Sequence, residues 1–211
     1  MKKTTRLIIV IILLAVFCLI AYGVVSGNIH GFENDIYTYF AKHISPGLTK
    51  FMIFITNIGS PVGVIIIVVL LLIVPYTRID FGITVIINTA IVGGLNTVLK
   101  LVFARPRPNI LRLIPESGFS FPSGHAMNNA GLYAIIALLV FRKAKNKTIR
   151  IIILIISIIM PVLIGISRVY LGVHYAGDVL AGWILGVTIA LVVDSFDKRI
   201  ALKYNTKKEG E

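Results

Sequence analysis

Three short segments of the sequence hold the residues that could carry chemistry: 100–108, 122–125 and 167–178. Their residues include three cations and one acid: Lys100, Arg107, Arg168 and Asp178. Such an excess of positive charge beside apolar helices is costly unless a bound anion compensates it. A phosphate fits this group, because guanidinium groups bind its oxygens in pairs and an ammonium adds a point charge. The cations therefore predict a phosphoryl-binding site.

The second segment adds backbone donors to this predicted site. Ser123, Gly124 and His125 stand at the start of a predicted helix, where free N–H groups and the helix dipole favour an anion. Gly124 has no side chain, so its backbone can approach a bound oxygen closely. We therefore expect the phosphate to lie between this helix end and the three cations.

Two histidines turn the predicted binding site into a candidate catalytic site. His174 and Asp178 are four residues apart, so on a helix they share one face and can touch. A carboxylate bound to one imidazole nitrogen fixes the tautomer and leaves the other nitrogen as a nucleophile or base. His125 could then donate a proton to the leaving oxygen. These residues predict phosphoryl transfer in two steps through a phosphohistidine, with cations stabilising the transition-state charge.

The composition indicates which elements carry these segments. Of the 211 residues, 57% are hydrophobic and 14% charged, and the mean hydropathy is +0.92. Soluble domains are less apolar and more charged, so we predict an all-α integral membrane bundle. The net charge of +12 is interpreted as membrane orientation and attraction to anionic membrane lipids, not as nucleic-acid binding. The single cysteine, Cys18, excludes an intrachain disulfide and a Cys-rich metal site.

Six segments are apolar enough to cross about 30 Å of hydrocarbon as helices. They are 7–25, 58–74, 82–103, 126–141, 149–166 and 178–193. The first has a basic start like a signal peptide, but its apolar stretch is too long and no A-x-A cleavage site follows. We therefore expect an uncleaved helix. The segment 28–50 has apolar residues at helical spacing and predicts an amphipathic helix, either in the membrane interface or capping the bundle.

The distribution of Lys and Arg predicts the orientation. With six spans and the N-terminus inside, the cytoplasmic segments hold roughly twice as many basic residues as the other side. This bias favours both termini in the cytoplasm, with residues 1–6 and 197–211 as tails. The three chemical segments then emerge together on the outer side. The whole chain, 1–211, is expected to form one domain.

The three segments resemble the motifs of the type 2 phosphatidic acid phosphatase superfamily, membrane lipid phosphatases related to vanadium haloperoxidases. The family patterns K-x6-R-P, P-S-G-H and S-R-x5-H-x3-D match Lys100 to Pro108, Pro122 to His125, and Ser167 to Asp178. The resemblance implies a nucleophile, its acidic partner and a general acid: His174, Asp178 and His125. It also implies phosphate binding, without a metal or other cofactor, by Lys100, Arg107, Ser123, Gly124 and Arg168.

The resemblance also bears on the substrate. Compact bacterial members of the family hydrolyse undecaprenyl diphosphate or phosphatidylglycerophosphate, which implies a multi-pass enzyme of the bacterial plasma membrane. An outer-facing site favours the polyprenyl diphosphate, which is released on that side after cell-wall polymerisation. Phosphatidylglycerophosphate, used in phospholipid synthesis, is made inside. In either case the apolar tail would stay in the bilayer and enter sideways between helices.

Two interpretations from other classes remain open. A lipid-phosphate transporter would need the cations but not the His174–Asp178 pair. A haloperoxidase-like use of the site with vanadate is disfavoured by the small, all-membrane chain.

Some features of the sequence concern packing or stay undecided. Gly182 and Gly186 have the small-xxx-small spacing of close helix packing, which we expect within the chain rather than in a dimer. Asn88 and Asn96 lie about two turns apart and predict an interhelical hydrogen bond. Arg105 lacks the motif spacing and has two interpretations, a substrate headgroup contact or a place in the membrane interface. The oligomeric state is not predicted.

Overall fold

The computed structural model describes residues 2–73 and 81–208, with side chains described as far as residue 196. The described residues form eight α-helices and no β-strand, which confirms the all-α prediction. The helices are α1 Lys3–Ser26, α2 His30–Ala41, α3 Pro46–Ile58, α4 Pro61–Ile73, α5 Gly82–Phe103, α6 Gly124–Lys143, α7 Lys147–Tyr170 and α8 Ala176–Lys208. Five of them are long and apolar enough to cross a membrane, and α3 with α4 forms a bent sixth candidate.

The predicted span 58–74 is wrong in its boundaries. Helix α3 ends at Ile58 and α4 begins at Pro61, and the two helices are bent by 50°. Pro61 lacks an N–H group and disfavours helical backbone in the residue before it, so a continuous helix is interrupted here. Ser60 Oγ then accepts a bond of 3.2 Å from the N–H of Gly63 in the first turn of α4. Val74, the last residue of the predicted span, lies outside the described residues.

The segment 28–50 is also divided differently from the prediction of one amphipathic helix. It contains α2 and the first residues of α3, with a break at residues 42–45. Ser45 caps α3 by accepting a bond of 3.4 Å from the N–H of Leu48, and Pro46 occupies the first turn. A Ser-Pro pair is a regular helix start, so the break has a signal in the sequence.

Both predicted tails, 1–6 and 197–211, are partly helical in the structure. Helix α1 begins at Lys3, and α8 continues through the predicted C-terminal tail as far as Lys208. Residues 197–208 contain no Gly or Pro that would end the helix. Residues 209–211 lie outside the described part of the chain.

Helix α6 lies at the centre of the bundle and packs closely on α8. A Cβ atom at Gly182 would come 2.8 Å from the carbonyl oxygen of Ser123, and one at Gly186 would come 2.4 Å from that of Met127. The two glycines therefore face α6 within the chain, as predicted. Their close approach fixes the start of α6 against the start of α8.

The end of α8 is tied to α1 and α6 by buried charges. Arg6 and Arg142 contact the two carboxylate oxygens of Asp194, at 2.5 Å and 3.0 Å. The sequence places Arg6 in a cytoplasmic tail, but in the structure this residue is only 7% exposed. Asp194 is sixteen residues along α8 from Asp178, which corresponds to about 24 Å. This triad therefore marks the opposite end of the bundle from the predicted site.

Helices α7 and α8 are joined by Trp183. Its indole N–H donates a bond of 2.9 Å to the carbonyl oxygen of Pro161 in α7. The ring lies against Gly165, where a Cβ would come within 2.3 Å of it. Trp183 also lines an apolar groove of about 490 Å³ beneath α2, together with Ile36 and Phe40.

Candidate active site

The candidate site lies where four helix ends meet: the C-termini of α5 and α7 and the N-termini of α6 and α8. The structure brings all eight predicted residues together there. Six of them line a cavity of about 530 Å³: Lys100, Arg107, Gly124, His125, Arg168 and His174. The other two, Ser123 and Asp178, are fully buried beside it.

His174 lies in the short loop between α7 and α8, with its ring held on both sides. Its Nδ1 atom lies 3.4 Å from Asp178 Oδ2 and 3.2 Å from the hydroxyl oxygen of Ser120. Its Nε2 atom lies 3.0 Å from an N–H donor of Arg107. These three contacts are satisfied when Nδ1 carries the proton, which Asp178 and Ser120 share, and Nε2 accepts from Arg107. The arrangement leaves the lone pair of Nε2 on the side of Arg107.

Burial keeps this ring neutral. Desolvation lowers the pKa of His174 to about 4, although the hydrogen bond and charge of Asp178 act in the opposite direction. Asp178 is itself held by three donors, because Ser120 Oγ and the N–H of Tyr175 both bind Oδ2 and Arg105 binds Oδ1. A neutral imidazole with a fixed tautomer is the form that can act as a nucleophile.

The three predicted cations line the cavity in different ways. Arg168 is 2% exposed and donates a bond of 2.8 Å to Thr56 Oγ1 in α3. Arg107 donates to backbone carbonyls of the loop 104–123 and to that of Val173. Lys100 donates to the carbonyl oxygen of Phe119 in the same loop. The cations thus organise the loop that covers the site.

The N-terminus of α6 fits tightly against α5. The Ser123 hydroxyl caps the helix, accepting from the N–H of Ala126 at 3.5 Å. A Cβ atom at Gly124 would come 3.0 Å from Asn96 Oδ1, so glycine suits this close approach. Asn96 donates a bond of 3.2 Å to the carbonyl oxygen of Pro122. The same amide also lies 3.4 Å from Met127 Sδ on α6, so Asn96 makes the predicted interhelical hydrogen bond.

Asn88 does not make the predicted interhelical hydrogen bond. Its side-chain amide is fully buried and has no hydrogen-bond partner among the described residues.

Arg105 matches neither interpretation offered by the sequence. Its guanidinium is buried, contacting Glu33 at 2.5 Å and Asp178 at 2.6 Å, and it lies 4.1 Å from the ring centre of Tyr175. Burial acts to lower the pKa of Arg105, but its bonds to the two carboxylates outweigh this effect and raise the pKa. The cation is therefore an internal part of the site.

Three residues of this region were missed by the sequence analysis. Glu33 on α2 pairs with Arg105, Ser120 binds Asp178, and Glu116 forms ion pairs with Arg107 and Arg168. Ser120 and Glu116 lie in the loop between two motifs, where the sequence has no spacing rule that relates them to the site. For Glu33 the sequence offers one indication: it is an acidic residue in the predicted amphipathic segment 28–50.

The fold and the site together define a class: multi-pass α-helical membrane proteins with cations, two histidines and a carboxylate at adjoining helix ends. Comparison with known protein families shows which family within this class the chain belongs to. The model of the PAP2 superfamily, the type 2 phosphatidic acid phosphatases, matches residues 81–200, which is more than half of the chain. The chain therefore belongs to that superfamily. The predicted family and enzyme class, a hydrolase of lipid phosphates, are thereby confirmed.

Relatives of known name agree with this assignment. Phosphatidylglycerophosphatase B of Bacillus subtilis (strain 168) is 46% identical over 110 residues, which cover 50% of this chain and 53% of that relative. Undecaprenyl-diphosphatase of Sulfolobus acidocaldarius is 34% identical over 77% of each chain. The crystal structure of a transmembrane PAP2-type phosphatidylglycerolphosphate phosphatase from Bacillus subtilis superposes with a TM-score of 0.83 at 31% identity, covering 90% of this chain and 96% of that one.

Proposed function

We propose that this protein releases the terminal phosphate of undecaprenyl diphosphate through a phosphohistidine formed on His174. The observation that carries the proposal is the state of the His174 imidazole. The ring is neutral, Asp178 fixes it through Nδ1, and Nε2 lies beside the cations that line the cavity. Phosphatidylglycerophosphate is the second candidate substrate. It is favoured by the likeness to phosphatidylglycerophosphatase B, at 46% identity, and to the crystallised phosphatidylglycerolphosphate phosphatase.

In the first chemical step, Nε2 of His174 attacks phosphorus while the bond from phosphorus to the leaving oxygen breaks. His125, which lines the same cavity, donates its proton to that oxygen. Asp178 stabilises the positive charge that develops on the imidazole. Lys100, Arg107 and Arg168 stabilise the negative charge on the phosphoryl oxygens. Water then attacks phosphorus and the bond from phosphorus to Nε2 breaks, while His125 takes a proton from the water. Inorganic phosphate leaves, and both histidines return to their starting forms.

The shape of the cavity supports a substrate with an apolar tail. Besides the cations, its lining includes Val64 and Ile65 of α4 and Gly93 of α5. Ile65 is 60% exposed, so this part of the wall reaches the surface that faces lipid. A phosphate at the helix ends and a chain passing between α4 and α5 would fit a membrane lipid phosphate.

We further propose that the site faces the extracytoplasmic side of a bacterial plasma membrane. The described basic residues at the opposite end of the bundle, near the start of α1 and between α6 and α7, support this orientation. They are Lys2, Lys3, Arg6, Arg142, Lys143, Lys145, Lys147 and Arg150. An outer-facing site has direct access to the polyprenyl diphosphate released there, which is the reason for placing this substrate first.

The test is phosphate release by the purified protein in detergent with EDTA present. Undecaprenyl diphosphate and phosphatidylglycerophosphate are compared at equal surface fraction. We expect the wild type to prefer the first lipid, and His174→Ala to lose about a thousandfold of the rate or more, because the nucleophile is removed. His43→Ala is the matched control, since His43 is exposed outside the cavity and should leave the rate unchanged.

Each contrary result has a definite meaning. A clear excess of turnover on phosphatidylglycerophosphate would reverse the order of the two substrates. Full activity in His174→Ala would overturn the phosphohistidine mechanism. Binding of both lipids by a folded wild type without any release of phosphate would favour the transporter.

A further inference from the structure

A row of alternating charges runs from α2 to the candidate nucleophile. Glu33 on α2 contacts Arg105 at 2.5 Å, Arg105 contacts Asp178 at 2.6 Å, and Asp178 lies 3.4 Å from His174. All four residues are buried, with exposures of 2%, 8%, 0% and 2% in that order. The phosphate-binding motifs account for the last two residues but not for Glu33 and Arg105.

The position of Arg105 is fixed from several sides. Its guanidinium lies over the ring of Tyr175, and its carbonyl oxygen accepts a bond of 2.8 Å from the N–H of Ser120. The two carboxylates bind the two terminal nitrogens of the guanidinium, with Nη1 shared between them. Both terminal nitrogens of Arg105 are therefore engaged within the protein.

The slot for Glu33 is equally specific. A Cβ atom at Gly177 would come 2.6 Å from Glu33 Oε1. The carboxylate of α2 therefore lies directly on the first turn of α8, one residue before Asp178. A larger residue at 177 would displace it.

The charges decide what this arrangement can do. Arg105 alone would neutralise Asp178, and a neutral pair stabilises a developing imidazolium poorly. Glu33 supplies a second negative charge to the same guanidinium. The three groups together keep a net charge of minus one beside His174. Arg107 and Arg168 line the cavity in which the phosphate is proposed to bind.

We propose that Glu33 and Arg105 are positioning residues for the transfer of the phosphoryl group. Arg105 holds Asp178 by Oδ1 so that Oδ2 faces His174, and Glu33 offsets the charge of Arg105 so that Asp178 stays effective. The inference rests on the proposed function, because it assigns the pair a role in the attack by His174. It also gives the amphipathic helix α2 a direct part in the site.

The test compares two variants of the full chain, Glu33→Gln and Glu33→Gln with Arg105→Gln. The single variant leaves Arg105 uncompensated and should lower kcat about tenfold, with KM within about twofold of the wild type. The double variant restores the net charge of minus one and should recover part of the lost kcat; the loss that remains reflects the missing Arg105 donor to Asp178 Oδ1. A purely structural role would make the double variant no better than the single one.

Asp194→Asn is the matched control, because it breaks a buried ion pair at the far end of α8. It should lower the thermal unfolding temperature and leave kcat unchanged. Thermal unfolding is measured for every variant, and kcat is measured at a temperature well below each variant's unfolding temperature. If Glu33→Gln is poorly folded, Gly177→Ala replaces it, since the added methyl displaces Glu33 without changing any charge. The same loss of kcat is expected.

The outcomes separate this inference from the proposed function. An inactive wild type, or an active His174→Ala, would overturn the proposed function. With those two results as expected, an unchanged kcat in Glu33→Gln, or a double variant without recovery, would overturn the role of the pair.

Discussion

His174 meets two requirements of a nucleophilic imidazole, a neutral ring and a fixed tautomer. Burial provides the first, and the contact with Asp178 provides the second. The two effects oppose each other in the pKa, because the carboxylate favours the protonated ring that desolvation disfavours. Desolvation prevails, so the ring is neutral at neutral pH, as the proposed attack on phosphorus requires.

This balance predicts a pH profile. The pKa of His174 is lowered from 6.5 to about 4, so the neutral nucleophile persists well below pH 6. We expect the acid limb of kcat/KM to have its midpoint near pH 4, measured by phosphate release between pH 3.5 and 8 in steps of about half a pH unit. Between the folded and unfolded pKa values of His174 the unfolded chain binds more protons, so the free energy of unfolding falls as the pH is lowered.

A control and a contrary result accompany this prediction. Replacement of the exposed His30 and His43 by Ala should leave the midpoint of the acid limb of kcat/KM unchanged, since both residues lie outside the cavity. A limb with its midpoint at the ordinary histidine pKa would contradict the buried, neutral nucleophile.

The site could be predicted from the sequence only where spacing carries information. Four-residue spacing predicts the contact of His174 with Asp178, although His174 lies in the loop before α8 and not on the helix that the prediction assumed. The three motifs bring the cations together. Glu33, Ser120 and Glu116 join the site through the tertiary structure alone. Arg105 could be recognised in the sequence as a charged residue near the site. Its ion pair with Glu33 could not be predicted, because Glu33 is distant in sequence and belongs to a different helix.

Among the elements, α6 and α8 come into close backbone contact at Gly182 and Gly186. We predict that Gly186→Ala destabilises the protein by about 1–3 kcal/mol, since the added methyl would meet the backbone at Met127 and force the helices apart. The measurement is the apparent unfolding temperature in detergent at a constant heating rate. Gly94→Ala is the control: no heavy atom lies within 4 Å of its Cβ position, so no loss is expected. An equal effect of the two substitutions would contradict this account of the α6–α8 contact.

The helices themselves were predictable to different degrees. Long apolar runs located α1, α5, α6, α7 and α8. The region before α5 was harder, because α3 and α4 are each 13 residues long and hydropathy alone does not locate a bend between them. The local signals at Ser45–Pro46 and Ser60–Pro61 were present, but a search for spans of about 20 residues passes over them.

At the scale of the molecule, the proposed orientation has a direct test. Cys18 is replaced by Ser, and one cysteine is then introduced at Asn109, in the loop beside the site, or at Lys145, between α6 and α7. Both positions are exposed. In intact cells we expect a membrane-impermeant maleimide to label the cysteine at 109 and spare the one at 145 until the membrane is opened. The reverse pattern would place the site on the cytoplasmic side.

Trp183 gives this protein an internal optical reporter. It is the one tryptophan among the 211 residues, and it lies between α7 and α8 beside the groove beneath α2. Its fluorescence, excited selectively at the red edge of absorption, therefore reports on a single junction. That junction is little more than one turn from Asp178, on the helix that receives Glu33. Any event that lifts α2 from α8 would change the polarity around the indole and shift its emission.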